Sequence, residues 1–348
     1  MRSVLALAFA ALVVSAASSA ADCMKVSITG VQGGPPVFKG QAGAGTLVQF
    51  GSNESNCSDV RLQFDTGRGT TQSLSKLGVP VGTLDAVFFT HLHSDHTEGL
   101  ADMMQLRWHF NSQGPKVDLV CAEEVKNPLG VAMSCQKYAA HIGDALIQSG
   151  EISQRLAENK KRLPGGPADL LIVKDFPLKQ DPVDVWRSGN VTVSAIQSTH
   201  IAGHASYRVD TPVGSVVIGG DAGNDVRKPP RDSSTSAQVE KLAQGADILV
   251  HSTIHPVMGP EGGTGFPPPI YWRQSTATDL GFLAKRAGVK NLVLTHLIPP
   301  VGAPRQGPYK LPDGALSKAD YEQAVLDSGY DGQTLVGEDL ATLTLGAN

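Results

Sequence analysis

Three histidines and one aspartate lie within six residues of the sequence, directly after Leu84 to Phe89, an apolar segment typical of a strand. The four are His91, His93, Asp95 and His96. Imidazole nitrogens and carboxylate oxygens are ligands for zinc and similar divalent ions. In an extended chain, His91 and His93 project to the same side and can bind one ion, while Asp95 and His96 follow where the chain turns and can reach a second ion. The segment predicts a two-metal site, and its alternative is a chance cluster in a solvated loop.

Three more residues of ligand type each follow a β-like segment. His200 follows Val191 to Gln197, Asp221 follows Ser215 to Ile218, and His296 follows Leu292 to Leu294. Sheet proteins commonly place their chemistry where strands end. A single histidine at such a place is usually an ordinary hydrogen-bonded surface residue. Together with the end of Leu84 to Phe89, however, there are four similar strand ends, and these indicate one shared site.

Short segments rich in Val, Ile and Leu recur along the chain and predict the strands that must position this site. They are Lys25 to Ile28, Thr46 to Phe50, Arg61 to Phe64, Leu84 to Phe89, Val117 to Val120, Val191 to Gln197, Ser206 to Asp210, Ser215 to Ile218, Ile248 to Val250 and Leu292 to Leu294. Helical patterns lie between them, most clearly at Gln136 to Arg162, with a break at Ser149-Gly150, and at Thr276 to Ala287. The mixture predicts a layered α/β fold with sheets covered by helices.

The first twenty residues have the pattern of a secretory signal peptide, with Arg2, an apolar run from Val4 to Val14, and small residues at the end. The apolar run is too short to span a bilayer as a stable helix. Asp22 is a poor residue to precede a lipidated Cys23. We therefore expect cleavage of residues 1–20, no stable membrane anchor afterwards, and a periplasmic or secreted protein. Residues 21–348 are expected to form one domain with a helical insert near 126–163, because no linker or repeat divides them.

Charge and cysteine content narrow the choice of partners and compartment. The formal net charge of −4 becomes −5 once Arg2 is removed, and a mildly acidic protein is not expected to bind nucleic acid. The four cysteines permit two disulfides in an oxidising compartment. Three pairings are possible, and we prefer Cys23 with Cys57 and Cys121 with Cys135 because these close the shorter loops. Free buried thiols are the alternative.

From about Asp65 to His296 the sequence resembles the metallo-β-lactamase superfamily, whose signature is HxHxDH followed by a distant His, Asp and His, each at a strand end. The resemblance implies a four-layer αββα sandwich and two divalent cations, most simply zinc, with iron or manganese as alternatives. It also implies the ligands: His91, His93 and His200 for the first ion, Asp95, His96 and His296 for the second, and Asp221 as a bridge.

Within the superfamily, the segment from His200 to Arg208 resembles the branch of ribonuclease Z and the metal-dependent arylsulfatases, where a ligand histidine precedes a Tyr-Arg pair by the same interval. That interval selects His200 over His204 as the ligand. Two positions depart from ribonuclease Z: Gln274 replaces its catalytic histidine, and Ser252 replaces a glutamate. These departures, together with export and acidity, argue against tRNA processing.

Phe64-Asp65-Thr66-Gly67 resembles an early motif of the same superfamily in which the aspartate supports the site without binding metal. A simple Asx turn is the equal alternative. The stretch from Gly259 to Trp272 combines glycines with consecutive prolines and predicts a pocket wall or lid, or else a surface loop that packs on its own domain.

The implied mechanism is attack by a hydroxide that bridges two metal ions, with Asp95 and Asp221 orienting it. Without a general-acid histidine, good leaving groups are favoured, although His204, Tyr207, His251 or His255 could supply a proton or line the pocket. Arg208 or Arg273 could pair with an anionic oxygen, and a surface salt bridge is the alternative for Arg208.

The sequence thus predicts an exported metal-dependent hydrolase of small anionic sulfate or phosphate esters. The alternatives are an acyl hydrolase acting on lactones or β-lactams and, third, a non-catalytic metal-binding protein.

Overall fold

The structure, a computed structural model, describes residues 21–346. The predicted signal peptide at 1–20 lies outside the described residues. None of the helices within residues 21–346 combines the length and the apolar character needed to cross a membrane.

Strands make up most of the regular structure. In chain order they are β1 (Asp22–Gly30), β2 (Gly45–Ser52), β3 (Val60–Phe64), β4 (Ala86–Phe88), β5 (Val117–Ala122), β6 (Val125–Lys126), β7 (Ala132–Met133), β8 (Leu171–Phe176), β9 (Val183–Ser188), β10 (Val191–Gln197), β11 (Ala205–Thr211), β12 (Gly214–Ile218), β13 (Ile248–Ile254), β14 (Asn291–Ile298), β15 (Arg305–Gln306), β16 (Tyr309–Lys310), β17 (Gln333–Val336) and β18 (Thr342–Leu345). All ten strand segments expected from the sequence are confirmed.

The long strands form two seven-stranded mixed sheets. The first has the order β18-β1-β2-β3-β4-β5-β8, and the second has the order β17-β14-β13-β12-β11-β10-β9. In the first sheet, β3, β4, β5 and β8 run parallel; in the second, β12, β13, β14 and β17 do. Two short ribbons, β6-β7 and β15-β16, lie outside the sheets.

Helices cover the outer face of each sheet. They are α1 (Thr70–Lys76), α2 (Ser94–Thr97), α3 (Leu100–Asn111), α4 (Cys135–Gln148), α5 (Glu151–Glu158), α6 (Ala237–Leu242), α7 (Pro268–Tyr271), α8 (Ala277–Ala287) and α9 (Lys318–Leu326), with 3-10 turns at Val81–Thr83, Pro167–Leu170, Pro256–Met258 and Pro260–Gly262. Helix α4 ends and α5 begins on either side of the predicted break, where Gly150 has a left-handed backbone conformation.

The alternation of side chains along β4 explains the layers. Ala86 and Phe88 point into the core between the sheets, whereas Val87 and Phe89 point into a second core beneath α3 and α4. Successive residues of a strand face opposite sides, so a strand covered on both faces is apolar throughout. The result is the αββα sandwich that the sequence predicts.

Both preferred disulfides are present. Cys23 pairs with Cys57, with Cα atoms 5.2 Å apart, and Cys121 pairs with Cys135, with Cα atoms 6.2 Å apart. The second bridge connects the end of β5 to the first residue of α4.

Candidate metal centre and its pocket

The HxHxDH segment leaves β4 and enters α2 at one edge of the sandwich. His93 is still extended, with φ −66° and ψ 150°, and immediately precedes α2. Asp95 and His96 lie in the first turn of that short helix. Because the chain changes from extended to helical within this segment, its neighbouring side chains face two different candidate metal positions.

The three distant residues reach the same edge. His200 follows β10, Asp221 follows β12, and His296 lies within β14. In the pairing of β13 with β14, Ser252 is opposite Thr295 while Thr253 is opposite Leu297, so His296 is an extra residue in a β-bulge with φ 46°. A bulge redirects a side chain, and here it points His296 into the site instead of into the sheet.

The first group of ligand atoms belongs to His91, His93 and His200. The Nε2 atom of His91 lies 2.9 Å from Nδ1 of His93, which lies 3.4 Å from Nε2 of His200. All three atoms are within 4.8 Å of one another, which is the spacing of atoms that share one ion.

The second group belongs to Asp95, His96 and His296. Nε2 of His296 lies 3.0 Å from Oδ2 of Asp95, and Nε2 of His96 lies 3.7 Å from the same oxygen. These atoms also fall within 4.8 Å of one another.

Asp221 lies between the two groups. Its Oδ1 is 3.5 Å from Nε2 of His96, and its Oδ2 is 3.7 Å from Nε2 of His200 and 3.3 Å from Nε2 of His296. The structure therefore brings together all seven residues that the sequence nominated as metal ligands.

The buried polar atoms fit divalent cations. Within residues 21–346, Nε2 of His96 and Oδ1 of Asp221 are buried without a hydrogen-bond partner. Because buried polar atoms in folded proteins are almost always paired, atoms left unpaired at the centre of a His/Asp cluster fit a site that binds a cation.

Asp65 supports the cluster without entering either group. Its Oδ1 accepts a hydrogen bond from the Thr90 backbone N–H at 2.8 Å, and its Oδ2 accepts from the Thr90 hydroxyl and lies 2.8 Å from Nδ1 of His96. A carboxylate on Nδ1 leaves Nε2 of the same ring free to bind metal. The supporting role of Asp65 is thus favoured over a simple Asx turn.

A chain of hydrogen bonds fixes Asp221. Its backbone N–H donates to Nε2 of His204 at 3.1 Å, and Nδ1 of His204 lies 2.8 Å from Oγ of Ser198. Ser198 bonds Ser206, whose hydroxyl donates to the carbonyl of Gly219. His204 therefore acts through Asp221, as a positioning residue.

Burial and neighbouring charges lower the pKa of some histidines in the cluster and raise the pKa of others. Burial, followed by the neighbouring His96 and His200, lowers the pKa of His91 well below its ordinary value, and burial lowers the pKa of His200 to about 3. Burial also acts to lower the pKa of His96, but the surrounding carboxylates, led by Asp221, outweigh it and raise that pKa well above its ordinary value. A cation in the second group would replace the proton that these carboxylates attract.

A cavity of about 370 Å³ opens over the cluster. Phe266 and Ile270 from the predicted lid form one wall, which supports the interpretation of this loop as a pocket wall. Arg273 and Gln274 continue that wall towards the histidines. The volume lies in the range of small-molecule sites.

The structure corrects three of the proposed accessory roles. Tyr207 is fully buried between the sheets and donates to the carbonyl of Phe89 at 2.6 Å, so it cannot serve as a proton donor at the site. His251 is also fully buried, with Nδ1 2.7 Å from the carbonyl of Ser252, and does not line the cavity. Arg208 binds Asp210 and the carbonyls of Leu242 and Gln244, as its structural alternative predicted.

His255 likewise has a local role, since its Nδ1 accepts from the Val257 backbone N–H at 3.2 Å. The sequence analysis missed the segment that closes the far side of the cavity, Gln306 to Tyr309. Two features of the sequence could have indicated this segment: it lies close in sequence to His296, and it contains a Gly-Pro pair.

Comparisons with known proteins agree with the geometry. A family model described as "Anti-Pycsar protein Apyc1" matches residues 37–139. Ribonuclease Z of Mycobacterium bovis (strain BCG / Pasteur 1173P2) is 24% identical over 319 residues, which cover 91% of this chain and 96% of the relative.

Solved structures show the same fold. The metallo-β-lactamase fold protein YhfI from Bacillus subtilis has a TM-score of 0.57 at 19% identity, covering 93% of this chain and 99% of its own. The short form of human tRNase Z has a TM-score of 0.55 at 16% identity, covering 92% and 98%. Zn²⁺-bound PqqB from Methylobacterium extorquens has a TM-score of 0.51 at 11% identity, covering 92% and 99%. The chain therefore has the metallo-β-lactamase fold, is a distant homologue of ribonuclease Z, and carries the buried His/Asp clusters typical of the metallohydrolases of this fold.

Proposed function

We propose that the protein is a binuclear metal-dependent hydrolase of small sulfate or phosphate esters. The observation that carries the proposal is the position of Asp221, whose carboxylate lies 3.3 to 3.7 Å from histidine nitrogens of both groups: His200 of the first, and His96 and His296 of the second. A carboxylate in this position could ligate two cations, and a pair of cations would suit the in-line displacement of phosphate and related esters.

Two divalent cations at this site would lower the pKa of a water molecule towards neutrality and so supply a nucleophile at physiological pH. Asp95 and Asp221 would reduce the positive charge of the two cations and orient the attacking oxygen. His91 and His200 stay neutral because burial lowers their pKa values, so they keep the lone pairs that a cation needs. Zinc is the simplest choice, since the set of imidazoles and carboxylates suits it and since zinc is bound in the PqqB neighbour.

The residues of this site supply little protonation to the leaving group. Gln274 lines the cavity at the position where the resemblance to ribonuclease Z places a catalytic histidine. A side-chain amide cannot act as a general acid at neutral pH, because it does not release a proton to the leaving group. Esters of phenols, whose anions leave without protonation, are therefore the favoured substrates.

We also propose that the mature chain works in the periplasm or outside the cell. Two disulfides within residues 21–346 are typical of an oxidising compartment, and the signal-like pattern of residues 1–20 is consistent with it. RNA is the principal alternative substrate, because the full-length relative is named ribonuclease Z. The acidic net charge and the small cavity favour a small molecule instead.

The first prediction concerns metal content and turnover. We expect the purified protein to bind about two equivalents of zinc, and we expect His96→Ala to retain about one, because His96 lies in the second group. The control is His141→Ala, since His141 is exposed on α4 and should leave the stoichiometry unchanged. Elemental analysis after dialysis measures both.

The loaded protein is then assayed with p-nitrophenyl sulfate, bis-p-nitrophenyl phosphate, a lactone, nitrocefin and a single-stranded RNA oligonucleotide. We expect the sulfate or the phosphodiester to be hydrolysed fastest. Turnover of nitrocefin, the lactone or the RNA far above both esters would overturn the proposal. Tight binding of two zinc ions with no turnover of any substrate would instead favour a metal-binding role.

A further inference from the structure

Arg273 lines the cavity, whereas two other arginines that bond to neighbouring backbone do not line it and have structural partners. Arg227 donates to the carbonyl of His200 at 2.6 Å, and Arg231 donates to the carbonyl of Trp272 at 2.6 Å. Arg273 has no such partner within residues 21–346, and its Nε is buried without a hydrogen bond. Because Arg273 lines the cavity beside His93 and His200, it is the arginine left available for a ligand.

The backbone of Arg273 is fixed relative to the metal ligands. Its carbonyl oxygen lies 3.3 Å from Nδ1 of His200, and its N–H donates to the carbonyl of Ile270 at 3.3 Å. Gly223 packs so closely against this carbonyl that a Cβ there would lie 2.6 Å from the oxygen. The backbone from which the Arg273 side chain extends is therefore fixed next to His200.

Gln274 adds a second unsatisfied polar group. Its side chain is only 4% exposed, it lines the same cavity, and its Oε1 has no hydrogen-bond partner within the described residues. A buried amide without a partner is costly unless a ligand or water completes it. Arg273 therefore offers donors to a bound molecule, whereas Oε1 of Gln274 accepts and is suited to a water molecule or a hydroxyl group of the ligand.

An apolar wall forms another part of the lining of this cavity. It is formed by Phe266, Ile270, Ile298, Pro308 and Tyr309. The rings of Phe266 and Tyr309 pack edge to face, with centroids 5.2 Å apart and an interplanar angle of 79°. A surface of this kind stabilises an aromatic or other apolar group and leaves a charged group desolvated.

We infer that Arg273 determines substrate specificity by binding the anionic oxygens of a singly charged ester, a sulfate monoester or a phosphodiester, whose aromatic or apolar group packs on the wall of Phe266, Ile270 and Tyr309. This inference rests on the proposed function and names its substrate class. The guanidinium presents a planar pair of donors to two oxygens of the ester, a geometry that lysine does not match.

The same arrangement disfavours RNA. A polynucleotide places a charged phosphate on each side of the scissile one, and the apolar wall offers those charges no partner. An ester with one charged group and one apolar group can bind Arg273 through its charge and the apolar wall through its apolar group.

The second prediction tests Arg273 with three esters that share a p-nitrophenol leaving group: the sulfate, methyl p-nitrophenyl phosphate and the uncharged acetate. We expect Arg273→Gln to raise KM for the two charged esters by about 10- to 100-fold, the loss expected for a charge-assisted hydrogen bond, and to leave KM for the acetate nearly unchanged. Arg273→Lys should recover part of the loss. The matched control is Arg187→Gln, since Arg187 is exposed and far from the cavity.

Binding without turnover supplies an independent measurement. We expect benzenesulfonate to bind the zinc-loaded protein at least tenfold more tightly than methanesulfonate in calorimetry. Arg273→Gln should weaken both anions, whereas Phe266→Ala should weaken benzenesulfonate alone. Ile270→Ala, at a half-buried position, replaces Phe266→Ala if that variant does not fold.

The outcomes separate this inference from the function on which it rests. If the zinc-loaded wild-type protein hydrolyses neither charged ester, the proposed function fails. If it hydrolyses them but Arg273→Gln changes the charged and uncharged esters equally, only the specificity role of Arg273 is overturned. Equal affinity for the two sulfonates would overturn the role of the apolar wall.

Discussion

At the scale of single residues, Asp65 shows that the site depends on side chains that do not face the metal positions. It is buried, accepts hydrogen bonds from the Thr90 N–H and hydroxyl, and lies against Nδ1 of His96. One carboxylate thereby fixes both the start of the HxHxDH segment and the orientation of its last histidine. His204 has the corresponding role for Asp221.

The third prediction follows from that geometry. In Asp65→Asn, the new amide can still accept from Thr90 through its oxygen, but its NH₂ group faces the Nδ1–H of His96, so the ring loses its acceptor. We expect the affinity for the second zinc equivalent to fall by about 10- to 100-fold. Competition with a chromophoric chelator measures it. Asp184→Asn, an exposed carboxylate on β9, is the control, and equal affinities in both variants would refute the supporting role of Asp65.

At the scale of elements, the second ligand group is held by turns packed backbone against backbone. The turn after β3 contains Gly67, where a Cβ would lie 2.3 Å from the carbonyl oxygen of Asp95 and 2.4 Å from the carbonyl carbon of Gly43. Backbone atoms cannot rotate out of the way as a side chain can. The turn can therefore approach α2 only because residue 67 lacks a side chain.

The fourth prediction is that Gly67→Ala displaces the turn of Asp95. We expect a loss of about 1–3 kcal/mol in the free energy of unfolding, typical of overpacking, together with weaker binding of the second zinc equivalent. Gly78→Ala is the control, because Gly78 has φ 72° and no atom within 4 Å of an added Cβ. That variant should lose stability through backbone strain yet bind two zinc ions normally. Urea denaturation and zinc titration compare the two.

At the scale of the whole molecule, the two disulfides connect different parts of the first sheet to the rest of the fold. Cys23–Cys57 closes a separation of 34 residues beside β1. Cys121–Cys135 closes one of 14 residues, and both its cysteines line a small cavity with His91 and Leu92. The second bridge therefore lies against the metal-binding segment, whereas the first does not.

The fifth prediction compares the bridges. Replacing either pair with alanines should lower the free energy of unfolding by about 2–4 kcal/mol, because each bridge restricts the unfolded chain. We expect only the Cys121→Ala/Cys135→Ala variant to lose zinc affinity as well, measured by equilibrium dialysis. Identical zinc binding in the two double variants would show that the bridge near His91 contributes to stability alone.

Besides the two short ribbons, the sequence analysis missed four strands of the two large sheets, and these share one property. They are β8, β9, β17 and β18, and each lies at an edge of its sheet. Edge strands are partly solvated and carry exposed charges such as Lys174 and Arg187. These charges hinder the pairing of an edge strand with a strand of another chain. An analysis based on apolar runs finds central strands, since these are buried on both faces, and overlooks the edges.

The sequence alone indicated the seven candidate ligands, the central strands and the two helical regions, and it favoured the disulfide pairing that the structure contains. Each of these leaves a local signal, because ligand chemistry requires particular residue types and burial requires apolar periodicity. Only the tertiary structure decided that Tyr207 and His251 belong to the buried interior, that Arg208 is structural and that Arg273 is available to a ligand. Those roles depend on the partners that distant segments supply, and a residue's type does not reveal whether the fold has already satisfied it.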